Sequence, residues 1–414
     1  MAKATVRTQA GQQKLEEGRE EALRFLRENL KARMRLGMLQ FVEELFEEER
    51  RTLIGEPWSR KADGQSRSGG TEHGSLYVEG QRIPVTYPRT TNGKTSRAIP
   101  AYQALRDYDL MAEDLQATLM RGVSTRDYGD VVKRIADGTG LPHSAVSRAF
   151  VRASQKSLDD LNGRDLSKYL FVGLFIDGLA FGGEIVVAAM GVTVEGEKVL
   201  LGLVEGHTEN AEVVSDLLQN LIDRGLTLTD RFLATLDGSK ALRAAVVRRW
   251  GTRVEIQRCQ VHKKRNVTDH LSRAHGAEAK RRLNVAYGMK DSQEATKILQ
   301  NTVGWLQQIS EPAARSLEEG MQETLTVVRL GLSDLLRRTF ATTNPLESAF
   351  DGVRCRTRRV KRWRKGKGQM ALRWTAAAAL EVEKRFHKIK GHAQLKTLAI
   401  KLKEIKVDDQ KAAG

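Results

Sequence analysis

From Tyr169 to Ile176 the chain reads Tyr-Leu-Phe-Val-Gly-Leu-Phe-Ile, an almost unbroken apolar run that stops at Asp177-Gly178. A strand that is apolar on successive residues must be covered on both faces, so this run predicts the interior of a sheet with helices packed on it. The downstream segments agree. Glu184 to Thr193 reads as a second strand and Lys198 to Val204 as a third, joined by a Glu195-Gly196 turn. Asn210 to Leu226 has the spacing of an amphipathic helix, Arg231 to Leu236 is a fourth strand, Lys240 to Trp250 a helix and Val254 to Arg258 a fifth strand. The order βββαβαβ predicts a mixed sheet with helices on its faces. Residues 263–338 then read almost wholly helical. Leu170 to Ile176 is the longest apolar run, far short of the ~20 residues a membrane-spanning helix needs, so no membrane partner is expected.

The upstream sequence has a different character. Between Leu23 and Phe46 apolar residues fall at 23, 26, 30, 34, 38, 41, 42, 45 and 46, the spacing of a long amphipathic helix. Such a helix either packs on the rest of the chain or serves as a dimerisation arm. A Gly/Ser-rich stretch, Lys61 to Gly74, reads as a linker. Leu76 to Tyr87 alternates around Glu79-Gly80 and predicts a small hairpin, followed by a basic loop from Arg89 to Arg97. Further on, Ser124 or Thr125 can cap a helix through Val131, Val132 and Ile135, which Gly138-Thr139-Gly140 ends, and Pro142 stands where a second helix begins. That is a helix-turn-helix pattern, with the plain αα-hairpin as its alternative. In the DNA-binding reading His143, Ser144, Ser147 and Arg148 lie on the front of the second helix, facing base edges in a major groove.

Charge supplies the partner. Lys plus Arg number 69 against 52 Asp plus Glu, a net +17, with an isoelectric point near 9.9. A surplus of that size neutralises phosphates, which makes nucleic acid the expected partner. Two cysteines, Cys259 and Cys355, cannot build a disulfide framework, and the N-terminus has no apolar core of a signal peptide. A reducing, cytoplasmic setting is expected.

The candidate chemistry rests on three carboxylates. Asp177 and Asp237 each follow an apolar strand and precede a glycine, in Phe-Ile-Asp-Gly and Thr-Leu-Asp-Gly. Asp-Gly is a common turn dipeptide, yet strand ends are where α/β sheets build sites, and two neighbouring carboxylates can share a divalent cation. Glu347 lies in Thr342-Thr343-Asn344-Pro345-Leu346-Glu347, where Asn344 is a natural N-cap, Pro345 the first helical residue and Glu347 a capping-box glutamate. Read alone, Glu347 is a cap. Strand-end Asp, strand-end Asp and then Glu on a later helix, in that order, suggest more. Cys259-x-x-His262 looks like a metal-ligand pair, but zinc needs four ligands and the only other cysteine is Cys355. Between Gly352 and Thr375 stand ten Lys or Arg and no acid: Arg354, Arg356, Arg358, Arg359, Lys361, Arg362, Arg364, Lys365, Lys367 and Arg373. A run of that density reads as a DNA-backbone clamp, which Lys263, Lys264 and Arg265 extend.

In these motifs the sequence resembles the Mutator-type bacterial insertion-sequence transposases, within the RNase H-like DDE superfamily. The resemblance covers nearly the whole chain. It is carried by Ile176-Asp177-Gly178, by Gly202-Leu203-Val204-Glu205-Gly206-His207-Thr208-Glu209-Asn210, by Asp237-Gly238, by Arg258-Cys259-Gln260-Val261-His262-Lys263 and by Thr342 to Glu347. The resemblance implies a multidomain α/β fold: an RNase H-like mixed-sheet catalytic core, interrupted by an all-helical insertion and preceded by a mainly helical DNA-binding region with a small hairpin. The implied segments are a helical arm (1–60), linker and hairpin (61–100), helix-turn-helix (101–160), first part of the core (165–262), helical insertion (263–338), second part of the core with the basic clamp (339–402) and tail (403–414). It implies that Asp177, Asp237 and Glu347 form a catalytic triad holding two Mg2+ ions, for which Mn2+ substitutes. His262 is expected to touch the scissile phosphate and Cys259 to pack at the strand end; Trp305, in the insertion, is either a core aromatic or, as in related transposases, a contact to an unpaired base. The implied partners are double-stranded DNA, as inverted-repeat ends and target, and a second copy in a homodimer, in a nucleoid-associated setting. An RNase H-like nuclease, such as a junction resolvase or repair endonuclease, and a non-catalytic repressor derived from a transposase are the alternatives.

Overall fold

The computed structural model describes residues 21, 25, 29–30, 33, 36–55, 67–78, 81–92, 95–107, 143–181, 183–208, 210–358, 360, 363 and 369–404. The chain divides into two compact units, residues 1–115 with 130–150 and residues 116–129 with 151–414.

In the first unit a helix over residues 36–54 (α1) is followed by β1 (Arg67–Val78), β2 (Gln81–Thr91) and β3 (Ser96–Ala98). These form an antiparallel sheet in that order, and α2 (Pro100–Asp107) comes next. Val42 and Phe46 of α1 are buried with Leu76, Ile83, Val85, Tyr87, Ile99 and Tyr102, so this part of the amphipathic helix packs on its own unit. Phe25, Leu30, Leu36, Met38 and Phe41 remain exposed. The hairpin is larger than the sequence predicts, in two respects. Arg67 to Gly74, expected to be linker, is strand, because a register shift between Ser68 and Thr71 absorbs the glycine pair. Gly74 leaves the space that Tyr102 fills: a Cβ there would lie 2.2 Å from the Tyr102 hydroxyl, and Tyr102 stacks on Tyr87 at 3.6 Å. The expected loop from Arg89 to Arg97 instead carries the end of β2 and the start of β3, paired through Arg89↔Ala98. The first helix of the expected helix-turn-helix lies outside the described residues. Pro142, the expected start of its second helix, also lies outside them, and the described residues His143–Asn162 are helical (α3).

The second unit is built on five strands: β4 (Leu170–Phe181), β5 (Glu184–Thr193), β6 (Lys198–Glu205), β7 (Thr227–Leu236) and β8 (Val254–Arg258). Their spatial order is β6-β5-β4-β7-β8. β4–β5 and β5–β6 are antiparallel, while β4–β7 and β7–β8 are parallel. The apolar run therefore sits at the centre of a mixed sheet. Helices α4 (Ala211–Asp223), capped by Asn210, and α5 (Lys240–Trp250), capped by Ser239, cover one face. There Leu217, Leu218, Leu221, Leu242 and Val246 meet Leu174, Leu201, Phe232 and Ala234, each buried side chain contributing roughly 1.5–3 kcal/mol. One element boundary matters for function: β4 runs through Asp177-Gly178 to Phe181, with Asp177 opposite Ala188 on β5. The dipeptide is strand and not the turn its composition allows, because β5 continues the ladder past it.

Strand β6 is an edge, and side chains satisfy its outward groups. Asn162 both donates to Leu203 O and accepts from Leu203 N (2.9 Å each), Arg224 donates to Leu201 O, and Glu383 accepts from Leu200 N. After β8 come α6 (Gln260–Thr268), α7 (Arg273–Gly288), α8 (Ser292–Gln307), α9 (Glu311–Glu318), α10 (Thr326–Arg329) and α11 (Asp334–Phe340), with no strand among the described residues of that stretch. The chain then returns to the sheet in α12 (Asn344–Thr357), α13 (Met370–Glu383) and α14 (Leu395–Glu404). No helix of the described residues is long and apolar enough to cross a membrane.

Candidate metal centre

Asp177 and Asp237 are neighbours by register. Ile176 pairs with Leu236 across the parallel β4–β7 ladder, so an aspartate follows on each side: Asp177 continues β4, and Asp237 comes directly after the end of β7. Asp177 is 2% exposed; its Oδ1 accepts from Gly178 N at 2.8 Å, while Oδ2 is buried without a hydrogen-bond partner. Asp237 is held from two sides: Ser239 N donates to Oδ1 and the Thr208 hydroxyl to Oδ2, both at 2.8 Å. The Ser239 hydroxyl in turn donates to Thr208 O at 2.7 Å.

Glu347 reaches the same place through an anchor in the strand itself. Gly173, inside the apolar run, leaves room for Phe340: a Cβ there would lie 2.5 Å from the Phe340 ring, which stacks on Phe175 at 5.4 Å. The Thr235 hydroxyl donates to Phe340 O (2.8 Å) and Gln260 N to Ala341 O (3.0 Å). These contacts fix the start of α12 over the ends of β4 and β7. The cap differs from the predicted one. Thr343 is the N-cap, without a side-chain capping bond, and Pro345 falls at the second helical position. Glu347 thus lies a residue deeper than a capping-box position, and its backbone N–H, not its side chain, bonds back to Thr343 O. Its carboxylate is free to face inward, where Oε1 is 3.5 Å from the Thr343 hydroxyl.

His262 stands between the two acids. On the first turns of α6, its Nδ1 is 3.9 Å from Asp177 Oδ2 and its Nε2 is 3.5 Å from Glu347 Oε1. One ligand atom each from Asp177, His262 and Glu347 lie within 4.8 Å of one another. Asp237 is outside that trio, though its charge is felt within it. Burial, with the Asp237 and Glu347 charges, pushes Asp177 up to about 6 against the opposing pull of His262. Cys259, together with Asp177 and Glu347, pushes His262 up to about 9 in spite of burial. Cys259 is buried at the N-terminus of α6, where the N–H and hydroxyl of Thr343 both donate to its sulfur at 3.4 Å. Oxygen-rich, paired carboxylates suit a hard divalent cation. The orphaned Asp177 Oδ2 is unspent ligand capacity that such an ion would use.

Comparison with known proteins gives the family. The family model described as "Transposase, Mutator family" matches residues 8–386. The chain belongs to that family. It is 26% identical over 318 residues to the transposase for insertion sequence element IS905 of Lactococcus lactis, covering 73% of this chain and 78% of that protein. It is 28% identical over 262 residues to the transposase for IS6120 of Mycolicibacterium smegmatis, covering 61% and 78%. With the transposase for IST2 of Acidithiobacillus ferrooxidans it shares 33% identity over 172 residues, covering 42% and 57%.

The other expected site residues of this Mutator-family chain fall into several settings. Arg265, Arg354 and Arg358 are exposed, with Arg354 paired to Asp351 at 2.8 Å. Arg356 donates to Gly352 O, and Lys264 to Asn284 at 3.0 Å. Lys263 is a correction. It is 1% exposed and its ammonium donates to the carbonyls of Ser316 and Glu319 at the end of α9, so it fastens α6 to α9 and is no phosphate contact. Arg373 is likewise buried and donates to the Ser154 hydroxyl at 2.6 Å, which removes it from the basic run. Arg359, Lys361, Arg362, Arg364, Lys365 and Lys367 lie outside the described residues, as do the side chains of His143, Ser144 and Ser147; Arg148 is exposed. Trp305 packs on α7, with Arg282 4.6 Å over its ring and His275 at its edge. Individual roles for Thr208, Ser239, Thr343, Phe340 and Arg258 were not read from the sequence. Arg258 donates to Gly238 O (2.7 Å) and Glu319 O (3.0 Å), tying the loop after Asp237 to the helical segment. Beside them a cavity of about 390 Å3 opens at Asp237, lined in part by Lys240 and Arg243.

Proposed function

We propose that the chain is a DNA transposase of the DDE type, which binds the inverted-repeat ends of its own element, cleaves them and joins them to target DNA. The observation that carries this reading is the buried, orphaned Asp177 carboxylate with Glu347 and His262 inside a 4.8 Å cluster. Burying one carboxylate beside another destabilises a chain, and a cation site is the function that rewards it. Asp177, Asp237 and Glu347 are the proposed ligands of two Mg2+ ions, with Mn2+ as substitute. Such ions supply positive charge to a transferring phosphate and its attacking and leaving oxygens. Asp177 contributes its free Oδ2. Thr208 and Ser239 hold Asp237 in one orientation, and Phe340 and Thr343 present Glu347. His262, cationic at neutral pH in this setting, is positioned to bond a phosphate oxygen.

The strand order, three antiparallel strands followed by two parallel ones with acids on the first and fourth, supports an RNase H-like core. In that reading α6–α11 are the helical insertion, α3 carries the recognition surface, the basic run is the clamp, and the active species is a homodimer on duplex DNA. The test is incubation of the protein with duplexes carrying the inverted repeats that flank its gene, with Mg2+ or EDTA. Metal-dependent nicking at the element end, followed by joined products, is the expected result. Nicking without joining would make it a nuclease, and metal-independent binding without nicking a repressor.

A further inference from the structure

A second cavity, of about 570 Å3, lies at the other end of the same sheet. It is bounded by Lys168 and Tyr169 ahead of β4, Glu197 and Lys198 at the start of β6, and Phe386 and Lys388 after α13. Tyr169 is eight residues before Asp177 on one continuous strand path, roughly 26 Å away at 3.3 Å per residue. This cavity is therefore separate from the carboxylate cluster.

Its charges are unbalanced. Among the described residues Lys198 and Lys388 have no ion pair, and Lys168 has only the exposed Asp165 near enough to feel its charge. Glu383, which also lines the cavity, is committed elsewhere: Arg164 grips it with two bonds of 2.8 and 2.6 Å, and Leu200 N donates to it at 2.7 Å. Glu197 is the one exposed carboxylate left in the lining, with Asp165 beside Lys168, against three ammonium groups. Two of these sit over rings, Lys198 Nζ 4.9 Å above Phe386 and Lys168 Nζ 5.2 Å above Tyr169. Lys198 is half-buried, and burial alone depresses its pKa. Desolvating a cation without an opposite charge costs free energy, and an anion entering the cavity would recover it. The walls are preformed. Ile389 N donates to Gly196 O at 2.9 Å, and Gly196, at φ +85°, has His392 so close that a Cβ would meet it at 2.3 Å.

We propose that this cavity is a second DNA-backbone site, which takes phosphates of the same duplex whose end lies at the carboxylates. Lysine ammonium groups that neutralise phosphate oxygens are the chemistry by which proteins hold a duplex backbone. At about 3.4 Å per base pair, roughly 26 Å corresponds to some eight base pairs of duplex beyond the reacting phosphate. The inference rests on DNA being the substrate, as proposed above, and not on the role of the carboxylates.

The test compares end duplexes that extend four or sixteen base pairs to either side of the cut, measuring affinity against salt. In the unmodified protein the longer duplex should bind with a log K against log salt slope steeper by about 0.9 for each additional phosphate neutralised. Combined Lys168→Gln, Lys198→Gln and Lys388→Gln substitution should reduce that difference by about 0.9 for each cavity phosphate lost while leaving affinity for the shorter duplex unchanged. Glu197→Gln, a surface change, should instead tighten the longer duplex. Equal slopes for the two lengths in the unmodified protein would overturn the proposal, as would a length effect undiminished in the triple variant. A gain that appears only when a second, separate duplex is added would overturn the same-duplex assignment. Failure of nicking with the length effect intact would sink the catalytic reading and leave this one standing.

Discussion

Asp177 carries a cost in the metal-free chain that can be read from its proton. Its pKa, near 3.9 when unfolded, stands at about 6 when folded. Between those values the folded state keeps a proton that the unfolded state has released, so stability falls as pH rises through that window. The loss is on the order of 3 kcal/mol and is complete above about pH 6. His262 works in the same direction: raised to about 9, its stabilising charge is fully present below about pH 6.5 and lost as pH rises through 9. Asp177→Asn should therefore raise the metal-free melting temperature at pH 8 and leave it nearly unchanged at pH 4, as thermal unfolding would show. A lower melting temperature at pH 8 would mean that the carboxylate stabilises the fold. Thr208→Val removes the 2.8 Å bond to Asp237; it should cost about 1 kcal/mol and slow cleavage, with Thr208→Ser restoring the rate. At this scale the two strand-end aspartates were legible as candidates, because apolar strand ends announce themselves locally, whereas Glu347 read alone as a cap and joined them only through its place after them in the chain. The true cap was not legible. Local composition favours Asn344, and what puts Thr343 there is the fit of Phe340 against Gly173, a contact between residues far apart in sequence.

Elements were legible wherever their periodicity was strong and misread where a distant side chain decides. All five strands of the large sheet and the helices between them occur in the predicted order. Strand β1 was lost to its glycines, since nothing near Gly74 in the sequence says that Tyr102 fills its place. Lys263 was assigned to DNA by its basic neighbours, while the structure uses it to cap α9. Gly173 makes the link between element and site testable. Gly173→Ala would press a methyl group into the Phe340 ring, destabilising by roughly 1–3 kcal/mol and moving α12 with Glu347. Adding Phe340→Leu should recover stability, measured by chemical denaturation, more fully than it recovers cleavage. Full recovery of both would show that the Phe340 ring has no part in placing α12.

Over the whole molecule, the excess charge of +17 named the partner class, and the order of apolar periods named the sheet. Neither could announce the cavity behind Lys198, which three separate segments assemble. The basic run gives a prediction that belongs to this scale: neutralising Arg358, Arg359 and Lys361 together should flatten the salt dependence of DNA binding by about 0.9 for each phosphate the variant no longer neutralises. An unaltered slope would reduce the run to a solvated face. The central claim is that Asp177, Asp237 and Glu347 form a divalent-metal centre, and calorimetric titration of Mn2+ into the full chain tests it without relying on DNA. The account predicts saturable binding that weakens at least about tenfold, roughly 1.4 kcal/mol, in Glu347→Gln and in Asp177→Asn at matched thermal stability. Equal Mn2+ affinity in all three proteins would contradict it.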